Sequence, residues 1–287
     1  LLDKLKMLIK LFKNNFDESK LHEMMMVLVA TQAETGENIL LDCIQYGTLE
    51  EIRDLVLILV KYKLSDILQS KNDLDQNCFH LLIQAGCSNL LRVFLHLGVD
   101  VNQADAFGQT PLHVAVINEF QDALTELLDG SISIKMNELN DAGFTPLHLA
   151  VKISDLSMVK LLVDAGADVA KKNPATGENV LHMAVVAEEI NMELINYLIE
   201  NDETMLYQEN HSGMNVMQVA AMCDAPDGLI QLLSSFYDES YIRVKTGDYD
   251  DGSTTDSDED EEDDDDVGDS FNSLFDDQCL KALCNIF

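Results

Sequence analysis

Two stretches of the sequence, GQTPLHVAV at residues 108–116 and GFTPLHLAV at residues 143–151, are identical at seven of nine positions. Four further stretches follow the same pattern: GENILLDCI from Gly36, DQNCFHLLI from Asp75, GENVLHMAV from Gly177 and GMNVMQVAA from Gly213. Successive stretches begin 39, 33, 35, 34 and 36 residues apart. Self-similarity at such a period predicts an array of stacked helical units, each of which buries its apolar face only against its neighbours.

A period near 33 with the block TPLHxA is typical of ankyrin repeats. The sequence therefore predicts an all-α fold, an ankyrin-repeat solenoid of about six helix-turn-helix repeats with β-hairpin tips, followed by a disordered acidic tail. The predicted organisation is capping helices at 1–32, repeats at 33–246, the acidic tail at 247–270 and an amphipathic helix at 271–287. The individual repeats are expected at about 36–74, 75–107, 108–142, 143–176, 177–212 and 213–246.

The residues of the motif have separate structural roles. A threonine hydroxyl can cap a helix, and the proline that follows it fits the first helical position, where no N–H is needed. The leucine is expected in the core, and the histidine is expected to tie its turn to the next repeat, in preference to a metal-binding or catalytic role. The structural motif comprises Thr110, Pro111, Leu112, His113, Thr145, Pro146, Leu147, His148 and His182.

Other motifs that carry chemistry are missing from the sequence. There is no HExxH or CxxC spacing for zinc, no GxGxxG or GxxxxGK[ST] for a nucleotide, and no nucleophile elbow. The six cysteines show no disulfide framework and are expected to be reduced. We therefore expect neither an enzyme nor a cofactor.

Charge excludes one class of partner. The chain has 18 Lys+Arg against 52 Asp+Glu, a net charge of −34, whereas direct binding of nucleic acid requires a cationic surface. Residues 248–269 hold 14 acids and no base and are expected to be disordered. This tail is either a solubilising linker or a functional segment, and Ser253, Thr255 and Ser257, each with an acid three residues later, are candidate phosphorylation sites.

The two ends of the chain are amphipathic. Residues 1–16 place apolar residues at helical spacing beside four lysines, which favours a helix that covers the edge of the first repeat over a membrane or calmodulin target. Residues 271–287 are predicted to form either a docking helix or the first helix of a truncated domain. The first residue is Leu1, which suggests a piece of a longer protein, and the sequence holds no apolar run long enough to span a membrane.

The repeats and the acidic segment together resemble the IκB inhibitors and the IκB-like C-terminal half of NF-κB precursors, of the Relish type. The stretch LSDILQSKNDLDQNCFHLLI at 64–83 is most similar to the second repeat of the precursors. The resemblance implies a domain of innate immune signalling that masks a Rel transcription factor, retains it in the cytoplasm and blocks its DNA binding. It also implies shuttling to the nucleus as part of a longer precursor, with the Rel-homology partner supplied in cis or in trans.

By the same resemblance, the repeat tips and the acidic tail contact the partner. The implied residues are Asp105, Asp141, Asn173, Asp258, Glu259, Asp260, Glu261, Glu262, Asp263, Asp264, Asp265 and Asp266. The chain has no DSGxxS phosphodegron, so proteolytic separation is the alternative to signal-driven destruction. Two other functions stay open: a generic ankyrin adaptor whose tail only solubilises, and an acidic chaperone for basic proteins such as histones.

Overall fold

Helices joined in pairs by short turns make up most of the chain that the computed structural model describes, namely residues 38–61, 65–129 and 133–237. The chain divides after Ala175 into two compact units. In the first unit the helices are α1 (Ile39–Tyr46), α2 (Leu49–Lys61), α3 (Cys78–Gln84), α4 (Leu91–His96), α5 (Pro111–Ile117), α6 (Gln121–Leu127), α7 (Pro146–Lys152) and α8 (Leu156–Asp164). In the second unit they are α9 (Val180–Ala184), α10 (Met192–Asn201), α11 (Val216–Met222) and α12 (Asp227–Ser234).

Short 3₁₀ helices accompany these pairs at Ser65–Gln69, Ser88–Leu90 and Glu203–Tyr207. The predicted capping helices at 1–32, the acidic tail at 247–270 and the helix at 271–287 lie outside the described residues. The predicted fold class, an ankyrin-repeat array of helix pairs, is confirmed. The predicted β-hairpins are tight turns instead, without a strand in the described ranges, because each is closed by a side-chain oxygen and one or two backbone bonds.

A polar side chain starts the first helix of every pair. Thr145 accepts a hydrogen bond from the His148 N–H at 3.3 Å, and Pro146 occupies the first helical position as predicted. Where the motif has no threonine, asparagine takes its place, a substitution that the sequence analysis missed. The asparagine caps are Asn38, Asn77, Asn179 and Asn215. Each cap satisfies N–H groups that the helix itself cannot pair.

The core of the first unit runs along the contacts between equivalent helices. The first helices pack in the order α1, α3, α5 and α7, and the second helices α4, α6 and α8 pack in a parallel row. Leu112 and Leu147 are buried as predicted, and Ala115 and Ala150 are buried between neighbouring helices, where only a small side chain fits.

The second unit repeats this arrangement with two helix pairs. α9 packs on α10 and on α11, and α11 packs on α12. Tyr237 closes the described part of this unit, where its hydroxyl donates to the carbonyl of Leu206 and its ring makes an edge contact with Tyr207. The unit thus has its own buried centre, built from the same positions as the first.

Four of the described turns between the two helices of a pair contain a residue in the left-handed backbone conformation. Gly86 is that residue between α3 and the segment that leads to α4, with φ of 69°. The corresponding positions hold Glu119, Ser154 and Asp224, with φ of 57°, 62° and 50°. An L-residue with a side chain is strained in this conformation by roughly 1–2 kcal/mol.

Glu119→Gly is therefore expected to stabilise the chain by about 0.5–1 kcal/mol, since relief of strain exceeds the added entropy of the unfolded chain. Urea denaturation followed by circular dichroism measures the change. The control is Glu193→Gly, near the start of α10, which should destabilise by a similar amount because glycine is a poor helix former. A loss of stability in both variants would contradict the assigned strain.

Candidate partner-binding surface

The tips of the repeats are turns built around one side-chain oxygen. The Asp105 carboxylate accepts from the N–H groups of Phe107 and Gln109 at 2.8 and 2.9 Å. Asn72, Asn140 and Asn210 make the same pair of bonds with the residues two and four positions later. Each of these side chains stabilises the turn to which it belongs, because its oxygen accepts hydrogen bonds from two backbone N–H groups of that turn.

Consecutive tips of the first unit are joined through their backbones. The Ala106 N–H donates to the Leu74 carbonyl at 2.8 Å, and the Asp141 N–H donates to the Phe107 carbonyl at 3.1 Å. Gly143 approaches the next tip so closely that an added Cβ would lie 2.6 Å from the Asn173 Oδ1 atom. The tips therefore form a connected row and not a set of independent loops.

This row presents an apolar pair within a group of acids. Leu74 and Phe107 are 47% and 55% exposed, although both are large apolar side chains. The carboxylates of Asp73, Asp75 and Asp141 are exposed on the same tips. We call these five residues the tip surface. Apolar anchors beside polar groups are typical of protein interfaces, so this surface is chemically suited to a partner with apolar and cationic residues.

The predicted contact residues fall into three groups. Asp141 belongs to the tip surface, whereas residues 258–266 lie outside the described part of the chain. Asp105 is only 7% exposed and Asn173 only 2%, and both side chains hold their own turns together. The sequence analysis did not foresee this internal role, and a partner contact at these two residues stays a prediction. It also missed Phe107, whose large apolar side chain beside a turn glycine was the available signal.

Three of the motif histidines connect successive turns. The His113 Nε2 atom lies 3.0 Å from the Phe144 carbonyl of the next turn, while its Nδ1 atom accepts from the Thr110 N–H at 3.1 Å. His80 and His182 make equivalent contacts with the carbonyls of Gln109 and Met214 at 2.9 and 3.2 Å. For His113, whose Nδ1 atom accepts from the Thr110 N–H, this geometry places the proton on Nε2.

Burial keeps these imidazoles neutral. His80 and His113 are both fully buried, and desolvation lowers the pKa of each below its ordinary value, although the carbonyl bond and the Asp105 charge oppose this shift. Because the folded pKa lies below the unfolded value of about 6.5, the neutral form contributes stability above that pH. This contribution is lost as the pH falls from about 6.5 through the folded pKa.

His113→Gln should reduce this loss of stability on acidification, because glutamine can donate and accept but does not titrate. The sixth repeat supplies the precedent: Gln218 stands at the histidine position, and its Oε1 atom accepts from the Asn215 N–H at 3.0 Å. The measurement is the urea midpoint at pH 7 and pH 5 for both proteins. Equal losses in the variant and the parent would contradict a titrating role for His113.

Two of the described thiols, those of Cys43 and Cys78, are poorly suited to nucleophilic chemistry. Burial raises the pKa of Cys78 to about 12 and that of Cys43 to about 11, so both are protonated at neutral pH. Within the described ranges, no three His, Cys, Asp or Glu side chains lie close enough together to hold a metal ion. In the same ranges, no helix combines the length and the apolar character needed to cross a bilayer.

Comparison with known proteins identifies the fold. The family model of ankyrin repeats, which describes three copies, matches residues 79–173 and 155–243. The chain belongs to the ankyrin-repeat family. Its backbone is similar to the crystal structure of the ankyrin repeat domain of Bcl-3, with a TM-score of 0.63, 24% identity and coverage of 72% of this chain and 89% of that one.

Curated relatives place the chain within that family. The NF-kappa-B p105 subunit of Gallus gallus is 28% identical over 195 residues, which are 68% of this chain and 20% of the relative. The NF-kappa-B inhibitor zeta of Mus musculus is 27% identical over 188 residues, 54% of this chain and 26% of the relative. The chain thus spans about a fifth to a quarter of their lengths. The resemblance to an IκB-like ankyrin-repeat domain, predicted from the sequence, is confirmed.

Proposed function

We propose that this chain is an inhibitory protein-interaction domain that masks a Rel-type transcription factor. The observation that carries the proposal is the similarity of its repeats to those of the p105 subunit over 195 residues. In this proposal the domain retains the factor in the cytoplasm, blocks its DNA binding and acts in innate immune signalling, as in a Relish-type precursor. Shuttling to the nucleus would follow from its place in such a longer chain.

The tip surface is the proposed docking site for the partner. Leu74 and Phe107 supply apolar anchors, and the carboxylates of Asp73, Asp75 and Asp141 favour a cationic segment. A transcription factor that binds DNA must have cationic surface, since DNA presents a phosphate backbone. The negative charge of this domain is therefore complementary to the cationic surface of the factor to which DNA would otherwise bind.

The acidic tail is proposed to compete with DNA directly. Residues 258–266 are all acidic and compare with a phosphate backbone in charge density. Phosphorylation of Ser253, Thr255 or Ser257 would add roughly −1.5 to −2 charge per site and strengthen the competition. Release of DNA should accordingly weaken as salt concentration rises, because screening acts on both charged surfaces.

The direct test mixes the full chain with a Rel-homology dimer bound to labelled DNA and measures DNA release by fluorescence anisotropy at several salt concentrations. Phe107→Ala is expected to weaken the complex by about tenfold, as loss of an interface anchor does. Val93→Ala, an exposed apolar residue on α4, is the matched control and should have no effect. Failure to form a complex at micromolar concentration would overturn the proposal.

Deletion of residues 248–269 separates this function from the two alternatives. In the proposed mechanism, the deletion lowers DNA release most at low salt, while the repeats still bind. A generic adaptor with a solubilising tail would keep its partner affinity at all salt concentrations. A chaperone for basic proteins would instead bind histones through a synthetic tail peptide alone, with little preference among basic partners.

A further inference from the structure

The second helix of the first repeat, α2 (Leu49–Lys61), has two apolar faces. Its buried face consists of Ile52, Leu55, Val56 and Leu59. Beside that face, Leu49, Leu57 and Val60 are 43%, 61% and 50% exposed. These three residues, which we call the α2 stripe, are spaced by eight and three positions and so lie along one side of the helix, with the exposed Arg53 between Leu49 and Leu57.

The stripe distinguishes α2 from the other second helices of the first unit. Leu57 directly follows the buried pair Leu55 and Val56. The residue that follows the corresponding buried pair is Arg92 in α4, Thr125 in α6 and Lys160 in α8, all exposed and polar. A solvent-facing helix normally carries charge on this side, and a grouped apolar surface marks a site of interaction.

The charges around the stripe restrict its occupant. The carboxylates of Glu50 and Asp54 lie on the side of the stripe away from the buried face, given 3.6 residues per helical turn, whereas Arg53 lies within the stripe. The occupant should therefore be apolar along the side that faces the stripe and cationic only at the edge beside the two acids. A helix of about the same length as α2 would cover the stripe from end to end.

Residues 1–16, which lie outside the described ranges, have this pattern. Leu1, Leu5, Leu8 and Phe12 recur at helical spacing, and four lysines stand at other positions of the same segment. As a helix, 16 residues extend about 24 Å, against about 20 Å for α2. The intervening residues 17–37 can span roughly 70 Å when extended, more than enough to reach a helix that directly follows α1.

We infer that residues 1–16 dock as an amphipathic helix along the α2 stripe, with their lysines beside Glu50 and Asp54. The first repeat then acquires a covered outer face from the chain itself. This inference is independent of the proposed function, because it requires no second protein. It also makes the segment displaceable, since a docked terminal helix opens more easily than the core.

Limited trypsin digestion of the full chain tests the docking, because trypsin cleaves after lysine. Cleavage after Lys10 and Lys13 is expected to be at least about tenfold slower than in a synthetic peptide of residues 1–18. Leu57→Glu and Val60→Glu should each restore the rate of the peptide. Val93→Glu, a matched change at an exposed apolar residue of α4, should leave cleavage slow.

Circular dichroism at the same temperature shows that each variant retains its helices, and hydrogen exchange of residues 5–16 gives a second measure of docking. Cleavage of the parent chain at the rate of the peptide would overturn the inference. So would cleavage that is unchanged in both glutamate variants. A parent chain that sediments as a dimer and becomes monomeric in Leu57→Glu, with unchanged cleavage, would assign the stripe to a second copy instead.

Discussion

Replacing Leu147 with alanine should lower the free energy of unfolding by about 2–5 kcal/mol. Leu147 lies in the first turn of α7, is fully buried and belongs to the row of first helices in which α5 packs on α7. The substitution removes apolar contact and leaves a cavity. The capping bond between Thr145 and His148 fixes the start of α7, so the helix cannot move far enough to fill that cavity.

Urea denaturation followed by circular dichroism measures this loss, and Leu74→Ala supplies the control. The chemical change is the same, but Leu74 lies half exposed in the tip surface, where a truncation should alter stability by less than about 0.5 kcal/mol. Equal shifts of the denaturation midpoint in the two variants would mean that Leu147 is not packed as described.

Gly108→Ala should also be strongly destabilising, by about 1.5–4 kcal/mol in total. Gly108 has φ of 71°, and the strain of an alanine in this conformation, less the entropy that alanine removes from the unfolded chain, costs about 0.5–1 kcal/mol. In addition, the new Cβ would lie 2.7 Å from the backbone nitrogen of Asp141 on the next tip. Forcing two backbones apart in a packed region typically costs a further 1–3 kcal/mol, about the magnitude of overpacking a core.

Gly86→Ala separates these two contributions. Gly86 has nearly the same φ, 69°, but no heavy atom lies within 4 Å of its added Cβ. This variant should therefore lose only the conformational part, about 0.5–1 kcal/mol. The difference between the two variants, measured by urea denaturation, reports the contact between neighbouring tips. A difference of zero would mean that the tips of residues 105–109 and 140–144 do not touch in solution.

The sequence motif predicted those parts of the fold in which one residue type satisfies a strict local requirement. Thr145 caps its helix, and Pro111 and Pro146 occupy the first helical positions of α5 and α7. The histidine bridges were predictable for the same reason. In each case, a single chemical group at a fixed spacing is sufficient to define the geometry.

The backbone conformation or exposure of other residues depends on the packing around them, and no sequence motif indicates it. Glu119 is left-handed because the turn around it must be tight, although glutamate has no preference for that conformation. From the sequence, Asp105 would be expected at the surface, but its carboxylate is buried in the turn, where it accepts a hydrogen bond from the Phe107 N–H. Leu57 belongs to an apolar run that would be expected in the core, and only the packing of α2 shows that its side chain is exposed.

Four tips share one further regularity. In each of them, the side-chain oxygen of one residue, which we call the shaping residue, accepts hydrogen bonds from two backbone N–H groups. Counted from the shaping residue, the left-handed residue stands three positions later, the residue that precedes the helix five, and the residue at the motif-histidine position eight. The sets are Asn72, Asp75, Asn77 and His80; Asp105, Gly108, Thr110 and His113; Asn140, Gly143, Thr145 and His148; and Asn210, Gly213, Asn215 and Gln218. Variation in repeat length, from 33 to 39 residues, lies outside these nine-residue segments. Repeats could therefore be added, removed or exchanged between related chains as units whose ends fall just before the shaping residue, with the backbone bonds between neighbouring tips retained.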